Sequence, residues 1–206
     1  MPGFVFTYGR FNPPTIGHGI LFREIVRRAE EMDATPVIVV SHKNTTSKNP
    51  LTAEEKVEVI KRVFPGVDVR ASAPGKLISA VTGELVEEYG GPGMMLLGSN
   101  RIEAGNMKFL EKIHGITREQ AGGARQNNNM NARSATAASG TKTRAIASKE
   151  VNSNYTIENK RANFRSQIIN QSMTNNEINR LMNLIQHRVG VLPSKTPPKK
   201  RPPKSR

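Results

Sequence analysis

Between an apolar run, Phe4-Val5-Phe6-Thr7-Tyr8, and a helical pattern over residues 20–31 lies the stretch Gly9-Arg10-Phe11-Asn12-Pro13-Pro14-Thr15-Ile16-Gly17-His18. A buried strand, a turn carrying Pro and Gly, and then a helix start form a geometry that presents backbone N–H groups to phosphate. The spacing Thr15-x-Gly17-His18 sets a hydroxyl, a bare backbone position and an imidazole within one turn. Any fold for this chain must therefore begin with a strand that feeds a helix through a phosphate-competent turn.

The following segments repeat that rhythm. In residues 20–31, Leu21, Ile25 and Ala29 share a face, as an amphipathic helix requires. Pro36-Val37-Ile38-Val39-Val40 is apolar throughout, which suits a parallel strand covered on both sides. Residues 41–50 are polar and follow that strand's carboxyl end, where ligands of open α/β sheets bind. Thr52 and Glu55 form a capping box before a helix with Val57, Ile60, Val63 and Phe64 on its apolar face. A short strand over residues 67–69 follows, then Leu77, Val81 and Leu85 at helical spacing, then the strand Met94-Met95-Leu96-Leu97. Alternation of this kind predicts βαβ units and a parallel, Rossmann-like sheet flanked by helices.

Beyond residue 100 the pattern thins. Residues 101–113 suggest a helix, whereas residues 115–138 hold Gly122-Gly123 and an Asn-rich run without period, and read as a loop or an irregular strand. Ser139-Gly140-Thr141-Lys142-Thr143-Arg144 leads into a helix start at Ala145-Ile146-Ala147, and another helix is expected over residues 156–169. Thr174 and Glu177 cap a final helix with Ile178, Leu181, Met182, Ile185 and Val189 as its stripe. One domain over residues 1–192 is expected. The segment 193–206 has five prolines and six basic residues without an acid, and is expected to be disordered.

Charge points to anionic partners. The chain carries a net +14, and without residues 193–206 it would still carry +8. With no cysteine, disulfides and thiolate metal sites are excluded. No apolar stretch approaches the length of a membrane span, and the amino terminus lacks the pattern of a secretory signal, so a cytoplasmic protein (host cytoplasm or virion, if viral) is expected. The basic tail could bind nucleic acid or another anionic partner in a salt-dependent way, but offers no aromatic ring for stacking on bases.

Three segments, in order, resemble one family. Residues 9–18 look like the (H/T)xGH signature of the nucleotidyltransferase superfamily, which includes nicotinamide-mononucleotide, phosphopantetheine and cytidylyl transferases. Gly98-Ser99-Asn100-Arg101 is similar to its Gly-Ser-Asp-Arg element, and Ala138-Ser139-Gly140-Thr141-Lys142-Thr143-Arg144 to its Ile-Ser-x-Thr-x-x-Arg motif. With Lys48-Asn49-Pro50-Leu51-Thr52 the pattern is closest to phage-type members.

The resemblance implies transfer of AMP (or CMP) from a nucleoside triphosphate to a phosphate-bearing acceptor such as nicotinamide mononucleotide, with release of pyrophosphate. It implies that His18 holds the α- or bridging phosphate, protonated under the influence of the triphosphate, and that Thr15 stands at the first histidine position. Arg144 and Thr141 would clamp the β- and γ-phosphates, with Ser139 and Gly140 leading into that helix start. Lys43, with Lys48 as rival, would meet the acceptor phosphate. Gly9, Arg10, Phe11, Asn12, Gly17, Gly98, Asn100 and Arg101 complete the expected nucleotide site, Asn100 standing where the family has Asp. ATP is the expected substrate, Mg²⁺ would travel on its phosphates with few or no protein ligands, and an oligomer is left open. A second reading is a structural or nucleic-acid-associated protein that keeps the fold with weakened catalysis and uses its basic tail.

Overall fold

A computed structural model describes residues 3–43, 48–98, 105, 107–121, 140–169 and 172–190. Five strands, β1 (Phe4–Gly9), β2 (Thr35–Val40), β3 (Asp68–Ala71), β4 (Met94–Leu97) and β5 (Thr117–Gln120), form one sheet in the order β3-β2-β1-β4-β5. Every pairing is parallel. The expected Rossmann-like α/β architecture is therefore present, and the strand order reverses between β1 and β4.

Seven helices among the described residues flank the sheet: α1 (Ile16–Glu31), α2 (Ala53–Val63), α3 (Ile78–Glu88), α4 (Phe109–His114), α5 (Gly140–Ser148), α6 (Ile157–Arg165) and α7 (Asn175–Val189). The two faces of the sheet carry separate cores, because successive strand side chains point to opposite sides. Val5, Ile38, Val40, Val69, Met94 and Leu96 pack with Phe22 and Ile25 of α1, Ile60 of α2, Phe164 of α6 and Leu181 of α7. Phe4, Phe6, Val37, Val39, Met95 and Leu97 pack with Val81 and Leu85 of α3 and Leu110 of α4. Strands buried on both faces explain why the runs at 36–40 and 94–97 read as continuously apolar.

The structure corrects several sequence expectations. α1 begins at Ile16 rather than near residue 20, which places Gly17 and His18 inside its first turn. Leu77 precedes α3 and is 75% exposed, so it does not belong to the buried stripe of that helix. Of the helix expected over residues 101–113, α4 (Phe109–His114) is present, residues 105, 107 and 108 form a turn, and residues 101–104 and 106 lie outside the described residues. Part of the segment read as a loop or an irregular strand is a regular strand, β5, Thr-Arg-Glu-Gln, which pairs with β4 from Met94↔Thr117 to Leu97↔Gln120. An edge strand can be polar throughout and so escapes a reading based on apolar runs. α5 starts at Gly140 rather than at Ala145, and α6 ends at Arg165, short of residue 169.

Helix ends fix the ligand-facing edge of the sheet. In α2, Glu55 N–H donates to Thr52 Oγ1 at 3.2 Å and Thr52 N–H to Glu55 Oε2 at 2.8 Å, the capping box read from the sequence. Arg188, in the last turn of α7, donates to the Pro50 carbonyl at 2.7 Å and to Glu55 Oε1 at 2.8 Å. These contacts tie α7 to the segment leading into α2.

Candidate active site

The carboxyl ends of β1 and β4 lie side by side where the strand order reverses, and an open α/β sheet offers a ligand crevice there. The turn after β1 is shaped by Phe11. Its φ is 42°, a left-handed backbone that a bulky residue seldom adopts and that costs about 1–2 kcal/mol. Burial of its ring offsets that cost: Phe11 is 6% exposed and meets the rings of His18 and Phe22 edge-on at 5.0 Å each. A Cβ on Gly9 would stand 2.5 Å from that ring. Close packing of Phe11 therefore accounts for the glycine at this position.

Asn12 is also committed internally. Its Nδ2 donates to the Leu51 carbonyl at 2.8 Å, and its Oδ1 accepts from Leu51 N–H at 3.0 Å. At 5% exposure, this side chain staples the β1–α1 turn to the entry of α2. Asn12→Ala leaves two backbone groups buried without partners, each worth about 1–3 kcal/mol. The expected result is a loss of about 2–4 kcal/mol by denaturant titration, and a loss below about 0.5 kcal/mol would contradict the staple.

Thr15 precedes α1, is 1% exposed, and forms a capping box with His18. Thr15 N–H donates to His18 Nδ1 at 3.0 Å, and Thr15 Oγ1 lies 3.0 Å from the same nitrogen. A ring nitrogen that accepts from a backbone N–H carries no proton of its own, so this geometry places the imidazole proton on Nε2. The half-buried His18 thus presents a neutral donor, and Thr15 orients it from beneath. Backbone pairing with the segment after α6 holds this end of α1: Ile16 N–H donates to the Gln167 carbonyl at 3.1 Å, and Ile169 N–H to the Pro14 carbonyl at 3.4 Å. Gly17 sits at the second position of α1, where the helix's own ladder provides no acceptor for its N–H.

The fold brings α5 onto this turn. Arg144 Nη1 donates to the Asn12 carbonyl at 2.6 Å across 132 residues, and Nη2 donates to Thr141 Oγ1 at 3.1 Å. A Cβ on Gly140 would stand 2.9 Å from the Asn12 carbonyl, so only glycine lets α5 come this near. Arg144 is half-buried, and burial followed by the nearby charge of Arg10 pulls its pKa below the ordinary guanidinium value. Arg10 is exposed and makes no ion pair among the described residues. Two guanidinium groups near one another, with neutral oxygens as Arg144's hydrogen-bond partners, create a strong demand for an anion.

Of the other expected residues, Lys43 is exposed just past β2, Lys48 is exposed before Pro50, and Gly98 is half-buried just past β4. Asn100, Arg101 and Ser139 lie outside the described residues. Among the described residues no cluster of three His, Asp or Glu side chains could hold a metal ion.

The sequence reading missed Lys56. It occupies the buried face of α2 with Ala53, Ile60 and Val63, a 53-56-60-63 spacing that marks it as an inward-facing lysine. It is fully buried, and its Nζ donates to the Ser41 carbonyl. Burial, only partly opposed by Glu54, pushes its pKa from 10.5 down to about 8. In the unfolded chain the amine keeps its proton up to about pH 10.5, so between pH 8 and 10.5 the unfolded state binds more protons and stability rises with pH. Below pH 8 the full penalty of about 3 kcal/mol applies. Lys56→Met is expected to exceed the wild type in stability at pH 7, with the difference shrinking toward pH 10. Parallel stability curves for the two proteins would refute this.

None of the helices described is long and apolar enough to cross a membrane. Comparison with curated proteins returns no match. A family model described as cytidylyltransferase-like matches residues 6–114, from β1 through α4, and so includes the turn after β1 and the end of β4. That match spans more than half of the 206 residues, and with the parallel five-stranded sheet and its reversal at β1 and β4 it establishes that the chain belongs to the cytidylyltransferase-like family.

Proposed function

We propose that the protein transfers AMP, or CMP, from a nucleoside triphosphate to a phosphate-bearing acceptor such as nicotinamide mononucleotide, releasing pyrophosphate. Family membership supports nucleotidyltransferase-type activity in general. The observation that carries the finer reading is the Arg10–Arg144 pair on the turn after β1, neither member of which forms an ion pair with a carboxylate among the described residues.

In this reading an anionic oxygen of the acceptor phosphate attacks the α-phosphorus, and the bond to the β-bridging oxygen breaks as pyrophosphate leaves. No side chain need remove a proton, so the protein positions the reactants and stabilises developing charge. His18 Nε2–H donates to an oxygen of the α-phosphate. Arg144 and Arg10 take the charge accumulating on the leaving pyrophosphate, with Thr141 holding the guanidinium of Arg144 in place. Lys43 meets the acceptor phosphate at the carboxyl end of β2; Mg²⁺ held by the nucleotide's phosphates would neutralise part of their charge.

The test is pyrophosphate release with ATP or CTP and a panel of phosphorylated acceptors, nicotinamide mononucleotide included. The expected result is acceptor-dependent release that Arg144→Ala lowers by about 10²–10³-fold. No acceptor-dependent release by the wild type with any pair would overturn the proposal.

A further inference from the structure

Lys56 sits beneath the proposed acceptor site. Its ammonium is fully buried and donates to the carbonyl of Ser41, the first residue past β2. That residue is a junction: Ser41 N–H donates to the Gly9 carbonyl at 2.8 Å, at the root of the phosphate turn. The next residue is tied to β3, because His42 N–H donates to Ser72 Oγ at 3.2 Å while Ser72 N–H donates to the Val40 carbonyl at 2.9 Å. Lys43 follows, exposed and with no ion pair among the described residues. The Ser41 hydroxyl is buried and has no hydrogen-bond partner among the described residues.

An ammonium buried against one neutral oxygen is expensive, and an aliphatic side chain would be the cheaper occupant beside Ala53, Ile60 and Val63. A methionine could fill the volume, but it could not hold the Ser41 carbonyl. What lysine adds at this position is therefore a fixed backbone at the carboxyl end of β2, with a positive charge behind it. Both matter where an anion must be placed against the turn after β1.

We propose that Lys56 is a positioning residue for the acceptor: by holding the Ser41 carbonyl it sets residues 41–43 against residues 9–18, so that Lys43 meets the acceptor phosphate in reacting position. This rests on the transferase reading given above.

The experiment compares wild type, Lys56→Met and Lys56→Arg. In Lys56→Met the KM for the acceptor should rise about tenfold or more, while the KM for the nucleotide stays within about twofold. Lys56→Arg keeps donors for the Ser41 carbonyl and should recover at least half of that loss on a logarithmic scale. An acceptor KM within twofold of wild type, or a parallel rise in both KM values, would overturn the proposal. If Lys56→Met does not fold, Lys56→Arg decides alone, since its displaced donor should give an intermediate acceptor KM with unchanged nucleotide KM. A readout independent of turnover is a titration with inorganic phosphate, followed by the amide signals of Ser41, His42 and Lys43. Binding about tenfold weaker in Lys56→Met supports the role. Equal binding, or no response of those signals in the wild type, overturns it, whereas absent turnover with selective phosphate binding overturns the transferase reading alone.

Discussion

Replacing Arg144 with alanine is expected to lower kcat/KM for pyrophosphate release by about 10²–10³-fold, the usual cost of removing one preorganised donor to developing charge. The guanidinium is held by the Asn12 carbonyl at 2.6 Å and Thr141 Oγ1 at 3.1 Å, so its orientation is set before any ligand arrives. Preorganisation is what makes such a group effective, because no reorganisation is required as charge builds. Burial and the charge of Arg10 both act against the protonated guanidinium. An anion relieves that strain, and binding and relief are coupled. Arg144→Lys supplies a point charge without the planar fork and should recover only part of the loss. Circular dichroism melts report on the fold in parallel, since the removed contact lies on the β1–α1 turn. An Arg144→Ala protein with wild-type turnover would remove this residue from the site.

The second large effect is expected at His18. With Nδ1 accepting from Thr15 N–H at 3.0 Å, the ring proton is on Nε2 and the imidazole is neutral. His18→Ala removes that donor and the edge contact with Phe11, so a fall of about 10²-fold or more in kcat is expected. Thr15→Val keeps the shape while removing only the hydroxyl at 3.0 Å from Nδ1, and the backbone N–H still fixes the ring. A fall of about three- to tenfold, or roughly 1 kcal/mol, is expected for that variant. Equal losses in Thr15→Val and His18→Ala would instead place the hydroxyl on the substrate. The nitrogen-15 shifts of the His18 ring check the tautomer directly, and a protonated Nδ1 in the free protein would contradict the geometry.

Much of the architecture was legible from residue order. Continuous apolar runs at 4–8, 36–40 and 94–97, separated by amphipathic segments, require strands covered on both faces and hence parallel βαβ units. The Thr52–Glu55 and Thr174–Glu177 boxes named their helix starts correctly because a cap is a local hydrogen-bond pattern. β5 was not legible, since Thr-Arg-Glu-Gln buries too little to show a period and owes its strand conformation to its neighbour β4. Lys56 was passed over because a lysine normally marks the solvent side of a helix.

The site divides along the same line. Sequence alone determined that a strand, a Pro/Gly turn and a helix start occur at residues 4–18, and it singled out His18 and Arg144 through motifs that resemble those of one family. These are properties of a few consecutive residues and survive without knowledge of the fold. Only the tertiary structure decided that Gly9 is bare because the Phe11 ring covers it, and that Asn12 is spent on Leu51. It alone placed Arg144 on a carbonyl 132 residues away and beside Arg10. Local propensity reports what one element requires for itself. Which side chains from distant elements share a volume, and which charges must face one another there, is set by how an open sheet and its helices fill space.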